Sequence, residues 1–173
     1  MSEVATKVTV RDFKPEDEQA VMNLYEATPE LHRNAVLDFL DNDERLMALT
    51  AKHKVFLVAV NENGTVVGFA YVKIKHRTLH EEKARLLHLV VDSAERNKGV
   101  ADSLLDECDR RLLEHGITLT YSCVNVKNNP MVEFLRKRGY VLREAYYRFE
   151  KGLRLSDRPD LYPPVAGWES DDV

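Results

Sequence analysis

One stretch constrains the fold of this chain more than any other: "ARLLHLVVDSAERNKGVADSLLDECDRRLLEHG", residues 84 to 116. It opens on a strand-like apolar run, Ala84 to Val91, and crosses a polar turn containing Gly99. The period then changes. Ala101, Leu104, Leu105, Cys108 and Leu112 share one face of a helix, with Asp102, Asp106, Asp109 and Arg110 on the other, and Gly116 stands as the C′ residue that ends it. A strand running through such a turn into a helix leaves the first backbone N–H groups of the helix free at its positive end, where they can hold an anion. Gly99 lets backbone come close to a ligand, Ala101 does so again one step on, and Arg96 and Lys98 add charge. The plainer reading of the same residues is an ordinary strand-to-helix turn. The stretch has neither the G-x-x-x-x-G-K-[ST] of a P-loop nor the three glycines of a dinucleotide fingerprint, which argues against a nucleotide-binding domain of those kinds.

The flanking sequence supplies the other layers. "VTVR" (8–11) reads as a first strand, and Pro15 opens a helix whose apolar stripe is Ala20, Val21, Leu24 and Tyr25, broken at Thr28-Pro29. A second helix is expected over much of 30–49. "VFLVAV" (55–60) is a continuous apolar run, as in a strand covered on both faces. Asn63-Gly64 can take the positive φ values of a hairpin turn into "TVVGFAYVKIKH". After the long helix come a strand, "ITLTYSCV", and a short helix in "NNPMVEFLRKRG", with Asn129 as N-cap, Pro130 at N1 and Gly139 at C′. Two closing strands are expected in "YVLRE" and "YYRFEKGL". This order predicts an α+β sandwich around a mixed sheet. The domain is expected over 8–155, between a tail at 1–7 and a Pro- and Asp-containing tail at 156–173 in which Trp168 stands out.

Composition narrows the function. A chain of 173 residues suits one domain with a real core, and a net charge of −4 excludes the global basic field of a nucleic-acid binder. No stretch approaches the roughly 20 apolar residues of a membrane span, and "MSEVATKVTV" has no apolar signal core. Cys108 and Cys123 lie in apolar-patterned segments and read as buried free thiols, so a cytoplasmic location is expected.

"RNKGVA" (96–101) resembles the R/Q-x-x-G-x-G/A signature of the GNAT N-acetyltransferase superfamily, and 86–116 resembles the family's strand, loop and long helix throughout. "VNVKNNPMVEFLRKRGYVLRE" is similar to its later segment, and the element order from Val8 to about Leu155 is the family's order. The resemblance implies a mostly antiparallel sheet of six to seven strands that splays into a V to admit acyl-CoA. It implies acetyl-CoA as cosubstrate and an amine as acceptor; no metal, no nucleic acid and no membrane are expected from the residues and their charge, in a monomer or a homodimer. By it, backbone groups of Leu89, Val90 and Val91 grip the pantetheine arm as an added strand would. Arg96, Asn97, Lys98, Gly99, Val100 and Ala101 hold the pyrophosphate, and Asn128 approaches the pantetheine amides, although "NNP" is also a plain helix cap.

The resemblance fails where chemistry is usually done. The short-helix position that often carries a proton-donating tyrosine is Leu135, and the two central-strand positions where a basic glutamate is usual hold Arg85 and Cys123. His88 on the central strand suits a base titrating near neutrality, against the plainer reading of a satisfied structural histidine. Tyr146 and Tyr147, near the last hairpin, are candidate proton donors, against simple alternating packing; Tyr121 is a weaker one. Cys123 reads as inert rather than nucleophilic. His76 and His80, with Glu81 and Glu82, fall in a strand-to-strand turn, which argues against a metal. The expected function is acetyl transfer from acetyl-CoA to a small-molecule or protein amine by direct attack in a ternary complex. The rival is a CoA-binding sensor or interaction module without catalysis. The acidic surface mildly favours a cationic acceptor.

Overall fold

The structure, a computed structural model, describes residues 7–28, 54–77, 81–124 and 128–143. The chain divides into two compact units, Met1–Tyr140 and Val141–Val173, and the description below concerns the first. The helix expected over 30–49, Tyr146, Tyr147, "YYRFEKGL" and Trp168 lie outside the described residues, whereas Tyr140–Arg143 are described and form no strand.

Strands β1 (Val8–Asp12), β2 (Lys54–Asn61), β3 (Val66–Arg77), β4 (Glu81–Val91) and β5 (Leu119–Ser122) form one sheet in that order. The first three pairings are antiparallel, and β4 pairs with β5 in parallel. A parallel neighbour needs a crossover, and helix α2 (Val100–Glu114) provides it. Helix α1 is Glu18–Glu26 and helix α3 is Asn129–Lys137. This is the expected α+β class, with five strands among the described residues.

Alternation along the strands sorts the core into two layers. Leu57, Ala59, Ala70, Val72, Ala84, Leu86 and Leu89 pack with Val100, Leu104, Leu105, Cys108 and Leu112 of α2 and with Leu135 of α3. On the opposite face Val58, Phe69 and Val90 pack with Val21, Leu24 and Tyr25 of α1. Both faces of the central strands are therefore covered, as the unbroken apolar runs implied. At Gly68 the first turn of α2 packs close against the sheet. A Cβ there would lie 2.9 Å from the Val90 carbonyl oxygen and 3.3 Å from both Val100 and Leu104 side chains.

Several local expectations are corrected. The hairpin turn has only Gly64 at positive φ (+80°), not Asn63. The Asn61 side-chain oxygen accepts from Asn63 N–H (3.0 Å) and Thr65 N–H (2.9 Å), which ties the loop from its first residue. The N-cap of α3 is Asn128, whose Oδ1 accepts the Met131 N–H at 3.3 Å, so Pro130 falls one position deeper than N1. Cys108 is buried, but Cys123 is exposed because it follows the last residue of β5. The turn Pro15–Asp17 is 3₁₀, and the α-helix begins at Glu18.

That 3₁₀ turn is organised by Asp17, which is 4% exposed. Its carboxylate accepts two bonds from the Arg11 guanidinium (2.6 and 2.8 Å) and one from Lys14 N–H (2.8 Å). The Arg11 hydrogen bond, followed by the backbone one, holds its pKa below the ordinary carboxylate value in spite of burial. We expect Asp17→Asn to lower stability in urea unfolding by about 1.5–3 kcal/mol, the worth of hydrogen bonds to a charged group. With the folded pKa depressed, the wild-type advantage is whole above the unfolded value of about 4 and shrinks as pH falls below it, so the two proteins converge in acid.

Candidate active site

The β4–β5 ladder is short. It runs Lys83↔Leu119, Ala84↔Thr120, Arg85↔Tyr121 and Leu86↔Ser122, and ends there with the Ser122 hydroxyl donating to the Leu86 carbonyl at 3.1 Å. Strand β4 continues to Val91, still paired with β3 but with no strand on its β5 edge among the described residues. At the point of parting, β4 carries an extra residue. Tyr71 pairs with His88 and Val72 with Leu86, which leaves Leu87 as a bulge. Among the described residues β4 is thus unpaired on its β5 side at Leu87–Val91.

The opening leads to the start of α2. Gly99, its N-cap, is left-handed (φ +82°, ψ 3°), and Asn97 also has positive φ (62°). The first intrahelical donor is Ser103 N–H, which bonds the Gly99 carbonyl at 3.0 Å. The preceding N–H groups of Val100, Ala101 and Asp102 have no intrahelical acceptor, and no side chain caps them. A Cβ built on Gly99 meets nothing within 4 Å, so the space in front of the helix end is open. Alternating left-handed residues at a helix N-terminus gather donors into a concavity suited to phosphate. Side-chain charge is secondary there: Lys98 is held by Glu95 at 3.2 Å, and Arg96 Nε donates to the Val91 carbonyl at 3.3 Å. Asp102 in the first turn of α2 would oppose an anion. Arg138 of α3 reaches it at 3.5 Å while also bonding Asp106.

Leu89, Val90 and Val91 lie on the stretch of β4 beyond the ladder, and the loop 96–101 is tied to it where Arg96 Nε meets the Val91 carbonyl. Asn128 caps α3 through its oxygen, which leaves its amide nitrogen as the group available to a ligand. Leu135 is 6% exposed and packed in the α2-side core, so its position offers no hydroxyl. Sequence reasoning missed Tyr71 and Tyr25, which enclose His88. The His88 ring lies edge-on to Tyr25 (centroids 5.8 Å) and stacks on Tyr71 at 6.4 Å. Both tyrosines sat in the apolar pattern as ordinary core positions.

The expectation that His88 titrates near neutrality is corrected. Burial pushes its imidazole down to about 4, and the Arg85 charge adds to the effect. No group of three or more His, Cys, Asp or Glu able to hold a metal occurs among the described residues.

The sequence profile of the acetyltransferase (GNAT) family matches residues 18–140, which includes the opening and both helices that flank it. The chain belongs to the GNAT acetyltransferase family. No curated protein matches its sequence. Solved structures share the GNAT fold at low identity. An aminoglycoside N-acetyltransferase in complex with CoA has 19% identity and a TM-score of 0.68, over 87% of this chain and 99% of its own. Glucosamine-6-phosphate N-acetyltransferase from Arabidopsis thaliana has 16% identity and a TM-score of 0.64, over 86% of this chain and 99% of its own. An acetyltransferase from Trypanosoma brucei has 19% identity and a TM-score of 0.62, over 84% of this chain and 100% of its own. Membership makes this GNAT protein an acyltransferase that uses acyl-CoA in the broad sense.

In this GNAT domain we expect the His88 ring signals in two-dimensional NMR to stay fixed between about pH 5 and 8, the range in which an unperturbed histidine titrates. Arg85→Gln should raise the His88 pKa by less than half of its displacement, because burial is the larger cause. A wild-type midpoint near 6.5 would show that the ring is open to water. The sign for stability follows: a histidine with lowered folded pKa costs stability as pH falls from about 6.5 toward its folded value.

Proposed function

We propose that the chain transfers acetyl from acetyl-CoA directly to a primary amine in a ternary complex. The observation that supports this reading best is the parting of β4 from β5 at Leu86/Ser122, opening onto the uncapped start of α2. In the proposal, pantetheine lies along the free edge of Leu87–Val91, pairing with its backbone, and the pyrophosphate takes the N–H groups at Gly99–Ala101. The amine nitrogen attacks the thioester carbon, the C–S bond breaks, the nitrogen loses one proton, and the CoA thiolate takes one up. Held in alignment, the two reactants gain most of their rate from orientation.

His88 lies beside the bulge at Leu87, where the thioester would sit. With a pKa pushed down to about 4 it is neutral at working pH, so it can accept a hydrogen bond from the amine, but it is a weak base. Its part in this reading is to orient an amine that arrives neutral and to pass its proton on. Tyr146 and Tyr147 remain the proposed donors to the thiolate; a CoA thiol with a pKa near 8.5, by analogy with cysteine, needs little help to leave. The rival reading, a CoA-binding module without catalysis, is favoured by one observation: Leu135 is core, where a hydroxyl is usual.

The test separates the cradle from the chemistry. Acetyl-CoA at a hundredfold excess over Kd should stabilise the protein by about 2.7 kcal/mol, read as a rise in Tm. Gly99→Asp meets open space but carries the strain of a side chain at φ +82°, about 1–2 kcal/mol, which a folded domain survives; it should lose acetyl-CoA binding by a hundredfold or more in calorimetry, with far-UV circular dichroism checking that it folds. Unchanged affinity in that variant would place the pyrophosphate elsewhere. Normal binding with no thiol release on any amine would make the chain a CoA-binding module.

A further inference from the structure

The α1-side face of the sheet carries a row of cations at the closed end of the opening. Lys73 of β3 stands directly opposite Arg85 of β4, Lys54 of β2 stands opposite Lys73, and Tyr121 of β5 lies beside Arg85. All four share a face with Phe56, Phe69, Tyr71 and His88, by strand alternation and by the ring contacts of Phe56 with Phe69 and Tyr71 and of Tyr71 with His88. Like charges directly opposite in an antiparallel pair have Cβ atoms only about 4.5–5.5 Å apart and destabilise it. A sheet keeps such a pair at a cost unless an anion meets it. Among the described residues no ion pair is recorded for Lys73 or Arg85. The Arg85 Nε is buried and makes no hydrogen bond, although a guanidinium offers a fork of five donors.

Arg85 sits one residue before the end of the β4–β5 ladder and three before His88. At ~3.3 Å per residue that places the cationic pair within about 10 Å of the point where the amine would be acetylated. We propose that Lys73 and Arg85 bind an anionic group of the acceptor, so that the substrate class is a small amine carrying a carboxylate or a phosphate within about 10 Å of its nitrogen. This rests on the acetyl-transfer reading for the amine and on the row alone for the anion. It also reverses the expectation of a cationic acceptor from the net charge of −4. Surface charges beyond about 8 Å are largely screened at physiological salt, whereas a guanidinium and an ammonium at contact distance are not. The local pair therefore decides.

The test uses amines matched in backbone: β-alanine, O-phosphoethanolamine and neutral ethanolamine. Two readouts are taken on the full chain, thiol release with acetyl-CoA and the NMR shift of the Arg85 Nε–H on titration. β-Alanine or phosphoethanolamine should move the Arg85 signal saturably, and ethanolamine should not. The better of the two anionic amines identifies carboxylate or phosphate. Their kcat/KM should exceed that of ethanolamine at least tenfold. Lys73→Gln and Arg85→Gln should remove at least tenfold of it, chiefly through KM, with a far smaller effect on ethanolamine and none on acetyl-CoA affinity. Lys73→Arg should restore most of the loss. Saturable anion binding without turnover would uphold this site and overturn acetyl transfer. Turnover with no preference for anionic amines, an equal loss on all amines in the variants, or no shift at Arg85 with any anionic amine would overturn the site.

Discussion

Everything at this site follows from a ladder that stops early. Strand β5 pairs with β4 only as far as Leu86↔Ser122, while β4 runs on to Val91. Backbone groups on a central strand are costly to bury without partners, so an edge that no described residue pairs suits an extended ligand that would complete it. The bulge at Leu87 sits at the parting and fits the same geometry, since a bulge bends its strand and increases local twist. Because α2 must cross over to make β5 parallel to β4, its N-terminus is delivered to the same end of the sheet as the opening. One topological choice thus places a free strand edge and a free helix end side by side.

The close approach at Gly68 keeps them there. With Val100 and Leu104 of α2 only 3.3 Å from where a side chain would begin, the first turn of the helix rests directly on β3. The donors at its tip are then fixed relative to β4, whose Val90 carbonyl is the nearest atom to the same point. Arg138 adds a second tie by joining the end of α3 to Asp102 and Asp106. Preorganised donors lose little entropy when a ligand arrives.

The cofactor side of this arrangement was legible in the sequence because the change of period at Gly99 has one physical meaning, and Gly116 and Gly139 mark the helix ends where they were expected. Other features were hidden for identifiable reasons. "LLHLVV" is apolar on both faces, so its alternation carries no phase and the bulge at Leu87 leaves no mark. Two adjacent asparagines precede Pro130, and a proline fits either of the first two helical positions, so the sequence does not choose Asn128 over Asn129 as cap. The titration of His88 depends on its burial, and one ring against it, Tyr25, comes from a helix more than sixty residues earlier in the chain. No local pattern contains that contact. The charged row needed the register of three strands, which hairpin lengths alone do not fix.

Strand β4 meets its two substrates, in the reading proposed, with two different parts of itself. Its edge, which is backbone, faces the cofactor; its α1-side face, which is side chains, faces the acceptor. Backbone hydrogen bonds are indifferent to residue identity, so the residues at Arg85 and His88 are free to vary without loosening the grip on CoA. A scaffold divided in this way can exchange one amine for another by point substitution.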